Sequence, residues 1–264
     1  MNNSISPSNT SYTAIVTGAC SGLGHATMAT LIQANWHVVM LDMNDTLASE
    51  RIAEYGSDKC SFLKADVTNE NEIEAVVQQA FSQHDDIRLC VNCAGIAPAK
   101  RILNREGEAM PLGDFAKTIN INLIGTFNVS RVVASYFAKN SVSGDDSERG
   151  VIINTASVAG YEGQIGQTAY AASKGGIIGL CLPMARDLAP LGIRVNTIAP
   201  GVMGTPMLLG MPEKVQDALA ANVQFPKRLG LPEEFAKLVL HIFDNKYLNG
   251  ETIRLDGGLR MPPK

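Results

Sequence analysis

Short apolar, β-prone runs alternate with longer helical stretches along the whole chain, and this alternation constrains the fold more than any other feature. The runs are Tyr12–Val16, His37–Leu41, Cys60–Lys64, Ile87–Val91, Val151–Thr155, Ile193–Ile198 and Thr252–Leu255. Most are continuously apolar, as strands covered on both faces must be. Helical patterns fill most of the gaps, notably 69–82, 114–139, 168–188 and 232–243. Strands separated by helices predict an α/β fold with a doubly wound parallel sheet. Pro183 lies inside one helical pattern and is expected to kink that helix or end its regular part. Residues 1–10 are polar and are expected to form a loose tail. With no repeat or linker beyond them, residues 11–264 are expected to fold as one domain.

Composition narrows the function classes. The net charge is −4, so no overall basic field draws the chain to nucleic acid or an anionic membrane. Apolar runs are broken by Gly, Pro or charge, which predicts no membrane span. No Lys or Arg precedes Arg51, which argues against a secretory or transit leader. The five cysteines are scattered, and their odd number suits a reducing compartment. A soluble cytoplasmic protein is the expectation. Cys90 and Cys93 have C-x-x-C spacing but lie at a strand end, where odd spacing sends side chains to opposite faces. The four histidines lack ligand spacing, and no metal is expected.

The first strand runs into Thr17-Gly18-Ala19-Cys20-Ser21-Gly22-Leu23-Gly24. Glycines between a strand and a helix permit a tight turn and close backbone approach to a pyrophosphate, whose charge suits the helix N-terminus. Asp42 follows the second strand, 24 residues after Gly18. A carboxylate there accepts from both ribose hydroxyls and repels a 2′-phosphate. No Arg or Lys lies nearby in sequence to welcome that phosphate, so NAD is expected rather than NADP. Asp66 and Val67 after the third strand are candidates for the adenine side. Asn92, Cys93, Ala94 and Gly95 after the fourth are candidates for the ribose side.

Tyr170 and Lys174 are four residues apart and share one helix face. A phenol with a pKa of about 10 is a poor base near neutrality, and a neighbouring cation lowers that value. The pair therefore supplies a general base for an alcohol proton. Ser157 ends the fifth strand, where its hydroxyl can hold a substrate oxygen. Asn122 falls mid-helix, where propensity gives an amide no reason to be; it is a candidate to hold a relay water, or else satisfies a local backbone group.

Taken together, Thr17–Gly24, Asn92–Gly95, Asn122, Ser157 and Tyr170–Lys174 resemble the short-chain dehydrogenase/reductase family, from about residue 12 to the C-terminus. The resemblance implies a Rossmann-type sheet with strand order 3-2-1-4-5-6-7 and a homotetramer. It also implies that Tyr170 is the acid/base, that Lys174 lowers its pKa while holding the nicotinamide ribose, and that Ser157 orients the substrate oxygen. Asn122 would support the relay. Pro200, Gly201 and Thr205 match the segment beside the nicotinamide.

Longer stretches are similar to the 3-hydroxyacyl-CoA dehydrogenase type-2 branch, among them Val91–Ile96, Gly125–Val129, Gly150–Ser157 and Ala185–Pro190. That branch oxidises the 3-hydroxyl of acyl-CoA thioesters with NAD, and some members accept steroids. Gln164 and Gln167 are then candidates for contacting the substrate, against plain loop polarity. Residues 202–225, with Met203, Met207 and Leu208, are expected to wall an acyl chain, because Met adapts to irregular apolar shapes. Lys100, Arg101 and Arg105 either meet CoA phosphates or form a solvated face. Competing readings are a 3-oxoacyl carrier-protein reductase, a hydroxysteroid dehydrogenase, and a non-catalytic scaffold subunit. The first sits poorly with Asp42, and the last with the complete Asn122, Ser157, Tyr170, Lys174 set.

Overall fold

The computed structural model describes residues 12–263, apart from the Met207 side chain. The tail expected over 1–10 lies outside the described residues. In chain order the first half consists of β1 (Thr13–Thr17), α1 (Gly22–Gln33), β2 (His37–Asp42), α2 (Asp45–Tyr55), β3 (Cys60–Lys64), α3 (Glu70–Gln83) and β4 (Ile87–Asn92). There follow α4 (Leu112–Ile119), a π-helical turn (Asn120–Ile124), α5 (Gly125–Phe137), β5 (Gly150–Thr155), α6 (Thr168–Leu188) and β6 (Ile193–Pro200). The short α7 (Pro206–Leu209), α8 (Glu213–Ala221), α9 (Pro232–Asp244) and β7 (Thr252–Leu255) complete the chain.

The seven strands form one sheet in the order β3-β2-β1-β4-β5-β6-β7, with every pairing parallel. The order reverses between β1 and β4, so their C-terminal ends frame the crevice where open α/β sheets bind ligands. Alternate residues of each strand serve opposite faces. Ala14, Val16, Val38 and Met40 join one core with Met28 of α1 and Phe235 of α9. Ile15, Val39 and Leu41 join a second with Ile73 of α3, and with Val129 and Phe137 of α5. Every β1 residue is buried, which explains the continuous apolar run.

Two helical stretches bear on the expectations. Pro183 neither ends its helix nor divides it: α6 runs unbroken for 21 residues. Pro183 and Gly179, the residue one turn earlier that loses a helical donor, both lie on the exposed side. There water can satisfy the freed carbonyl, and nothing lies within 4 Å of a Cβ position on Gly179. The pattern over 114–139 is not one α-helix. It is interrupted at Asn120–Ile124 by the π-helical turn, which contains Asn122.

Candidate active site

The glycine-rich turn is built around close backbone packing. Gly18 has φ +62°, and a Cβ there would stand 2.9 Å from the Ala94 backbone. The Thr17 hydroxyl accepts from the Cys93 and Ala94 amides, each at 3.1 Å, fastening β1 to the loop after β4. Thr205 lies 3.7 Å from a Cβ position on Gly22, so the segment after Pro200 and Gly201 meets the turn. Ser21 and Leu23 fall at the turn and the start of α1.

Asp42 is held from three sides. Its Oδ1 accepts from the Met43 and Asn44 amides at 2.8 and 3.1 Å, and its Oδ2 from the Cys20 amide at 3.1 Å. Charge-assisted bonds of this kind fix a carboxylate's orientation at the end of β2. Asp66 Oδ1 accepts from the Thr68 amide and hydroxyl at 2.9 and 2.8 Å, which makes it first a turn residue. Val67 is buried against α5, and its carbonyl accepts from Asn128 at 2.9 Å. Asn92 corrects the expectation for the ribose side. Its amide turns into the core, donating to Ser130 and Asn154 at 3.0 and 2.9 Å, whereas Cys93, Ala94 and Gly95 after it are less buried.

Asn122 is fully buried and ties two elements together. Its Oδ1 accepts from the Ile96 amide at 2.8 Å, while its Nδ2 donates to the Ile96 carbonyl at 2.9 Å and to the Ser173 hydroxyl at 3.0 Å. Ser173 in turn donates to the Tyr170 carbonyl at 2.7 Å. Asn122 thus positions the helix turn that carries Tyr170, and its side chain is engaged with protein groups rather than with a relay water. Its backbone carbonyl accepts from Thr126 at 2.7 Å. Gly95 fills the gap between the pieces: a Cβ there would lie 3.1 Å from Asn122 Oδ1 and 3.7 Å from Lys174 Nζ. Ser173 was missed as a site residue, although its place three residues after Tyr170 on one helix face was a usable signal.

Ser157, Tyr170 and Lys174 come together beyond the end of β5. Ser157 Oγ caps the short turn after the strand, accepting from the Ala159 amide at 3.1 Å. Lys174 is 6% exposed, donates to the Thr155 carbonyl at 2.7 Å, and stands 5.8 Å from the centre of the Tyr170 ring. Burial pushes the Tyr170 phenol up, while the Ser157 hydroxyl pulls it down. The same burial lowers Lys174 to about 8.

The expected substrate contacts fare less well. Gln164 Nε2 donates to the Pro262 carbonyl at 3.0 Å, and Gln167 Oε1 accepts from the Gln164 amide at 2.9 Å, so both stabilise the loop itself. Met203 is 7% exposed and belongs to the main core, packed on Gly230. Leu208 is half-buried in α7, and the Met207 side chain lies outside the described residues. Leu209, Met211, Val215 and Phe225 on the same segment are exposed. An open cleft of about 400 Å³ is lined by Arg101, Ile102, Gln164, Ile165, Gly166 and Thr168. Lys100 is paired with Asp114, leaving Arg101 as the cation of that cleft. No group able to hold a metal occurs among the described residues.

The short chain dehydrogenase family model matches residues 12–216. This chain is a short-chain dehydrogenase. Such a dehydrogenase is an oxidoreductase that uses a nicotinamide cofactor, and the crevice geometry fits one. The chain is 50% identical to the 3-hydroxyacyl-CoA dehydrogenase type-2 of Bos taurus, over 95% of each protein. It is 36% identical to the 3-oxoacyl-[acyl-carrier-protein] reductase FabG of Thermotoga maritima, covering 93% of this dehydrogenase and 96% of the relative. Its fold is similar to the crystal structure of 3-hydroxyacyl-CoA dehydrogenase type-2 from Mycobacterium avium, with a TM-score of 0.91 and 44% identity over 96% and 97% of the two chains. No helix among the described residues is long and apolar enough to cross a membrane.

Proposed function

We propose that this dehydrogenase oxidises 3-hydroxyacyl-CoA to 3-oxoacyl-CoA with NAD. The observation that carries the reading is the meeting of Ser157, Tyr170 and Lys174 on the sheet edge that also presents the Asp42 carboxylate. The 50% identity to a 3-hydroxyacyl-CoA dehydrogenase type-2, against 36% to a carrier-protein reductase, supports the acyl-CoA substrate.

Gly18, Ser21, Gly22, Leu23 and Gly24 would hold the pyrophosphate, and Asp42 the adenosine ribose hydroxyls. Asp66 and Val67 would border the adenine. Ala94, Gly95, Pro200, Gly201 and Thr205 would line the path to the nicotinamide. When bound, the nicotinamide ring supplies a hydride acceptor. Tyr170 Oη takes the hydroxyl proton of the substrate, and Ser157 Oγ holds the same oxygen. Lys174, in its protonated form, would stabilise the tyrosinate and hold the nicotinamide ribose. Asn122 keeps this helix turn in place. The exposed apolar groups of residues 209–225 would cover the acyl chain, with Arg101 available to a CoA phosphate.

Residues 11–264 form the single catalytic domain in this reading, supported by one sheet with a core on each face. The homotetramer and the cytoplasmic location belong to the same proposal. The first draws support from the exposed Ile124 in the π-helical turn, Phe127 on α5 and Leu182 on α6. Steady-state NAD reduction across 3-hydroxyacyl-CoAs, simple secondary alcohols and hydroxysteroids tests the substrate. Turnover of 3-hydroxyacyl-CoA is expected to dominate, and a hydroxysteroid preferred over every acyl-CoA would overturn the assignment.

A further inference from the structure

Although no Lys or Arg is close to Asp42 in sequence, the fold places one beside it. The parallel register of β2 and β3 pairs Asp42 with Lys64, and register partners project from the same face of a sheet. A lysine at that place would ordinarily favour a 2′-phosphate on the adenosine ribose. Its ammonium is instead bonded to Asp45 Oδ2, in the first turn of α2.

Asp45 is not needed to cap that helix. The cap is Asn44, whose Oδ1 accepts from the Leu47 amide at 3.0 Å. Nor does Lys64 neutralise Asp42, whose oxygens take the Cys20, Met43 and Asn44 amides. Arg51, further along α2, is bound to Glu54. Each cation near the end of β2 is thus matched by a carboxylate, and the charge of Asp42 is left over.

We propose that Asp45 is a second determinant of cofactor choice, engaging the Lys64 ammonium in an ion pair so that it is less available to a ribose 2′-phosphate. This rests on the NAD reading above and extends it to residues outside the family's strand-end acid. Lys64 and Asp45 side chains are 59% and 58% exposed, so the pair is flexible and salt-sensitive, and its effect is moderate.

The test is direct titration of the cofactor-free protein with NADH and with NADPH, followed by nicotinamide fluorescence. The wild type should bind NADH more tightly, and Asp42→Ala should narrow that gap. Asp45→Asn is expected to tighten NADPH about fivefold while NADH stays within about twofold, with the gain fading toward about 1 M salt. Asp45→Asn combined with Lys64→Met should return NADPH to its wild-type affinity, and thermal melts of both variants check the fold. An NAD-selective wild type whose ratio is unmoved by Asp45→Asn overturns the role of Asp45 alone. So does a gain that persists without Lys64. A wild type that binds both cofactors equally removes the NAD reading, and this inference with it.

Discussion

The crevice floor and the substrate wall of this dehydrogenase are built on opposite principles. On the floor, three functional side chains are held by backbone groups of another element: Asp42 by the Cys20 amide, Asn122 by Ile96, Lys174 by Thr155. On the wall, residues 202–225 hold mainly short local bonds and leave Leu209, Met211, Val215 and Phe225 exposed. Chemistry shared across a family needs fixed geometry, whereas a wall that accepts variable acyl groups needs adaptable apolar surface.

Variants at Tyr170 should break the floor most severely. Tyr170→Phe is expected to lower NADH formation by about a thousandfold or more while NAD affinity moves less than about twofold. Stopped-flow turnover and cofactor titration measure the two sides, and retained turnover would remove Tyr170 from the proton step. Next in size, Asn122→Ala strips three side-chain hydrogen bonds from a buried position and leaves the Ile96 amide and carbonyl without them. A loss of about 2–4 kcal/mol in urea unfolding is expected, together with a fall in kcat. An unchanged unfolding midpoint would deny that the floor is one connected piece.

The wall should answer differently. Phe225 is 82% exposed, so Phe225→Ser should leave the melting temperature within about 2 °C and raise KM for long acyl-CoAs about threefold. A change in kcat with KM untouched would count against a covering role.

The smallest effect is expected far from both, at the other end of the sheet. His37 Nδ1 faces the Asp58 carbonyl at 3.2 Å, so it carries the proton, and its Nε2 accepts from Ser61. Ser61 then accepts from His84 Nε2, and the two imidazoles stack with centres 4.4 Å apart. Burial and His37 lower the His84 pKa, so the fold keeps this ring neutral. Because the unfolded chain takes up the proton first, stability should decline as pH falls through about 6.5. His84→Asn should reduce that decline by less than about 1 kcal/mol, and an identical decline in both proteins would assign the acid sensitivity elsewhere.

How much of this was legible in the sequence follows the same division. The strands stood out because burial on both faces makes them continuously apolar, and Cys60–Lys64 and Thr252–Leu255 match to the residue. Helix α2 did not stand out, since Ala48 is its one buried residue and a single contact leaves no stripe. The residue types of the site were visible, but their bonds were not. Asn122 could be read as a water holder or as a partner for local backbone, because Ile96 and Ser173 are 26 and 51 residues away. Gln164 looked free because its partner is Pro262, 98 residues on. The burial of Met203 was not legible, because its methionine character says nothing about Gly230 beneath it. Lys64 was hidden for the same reason, being close to Asp42 only through strand register.

The fastening of Thr17 to the Cys93 and Ala94 amides has a consequence for synthesis on the ribosome. These partners lie 76 and 77 residues downstream, and β4 pairs with β1 only after β2 and β3 have emerged. A nascent chain that stops short of β4 carries the whole glycine turn but not the backbone on which Gly18 rests. Long-range closures of this kind are slow and come late. Cofactor capture therefore belongs to the second act of folding, and truncated chains released before β4 should be recognisable by their failure to be rescued by nucleotide.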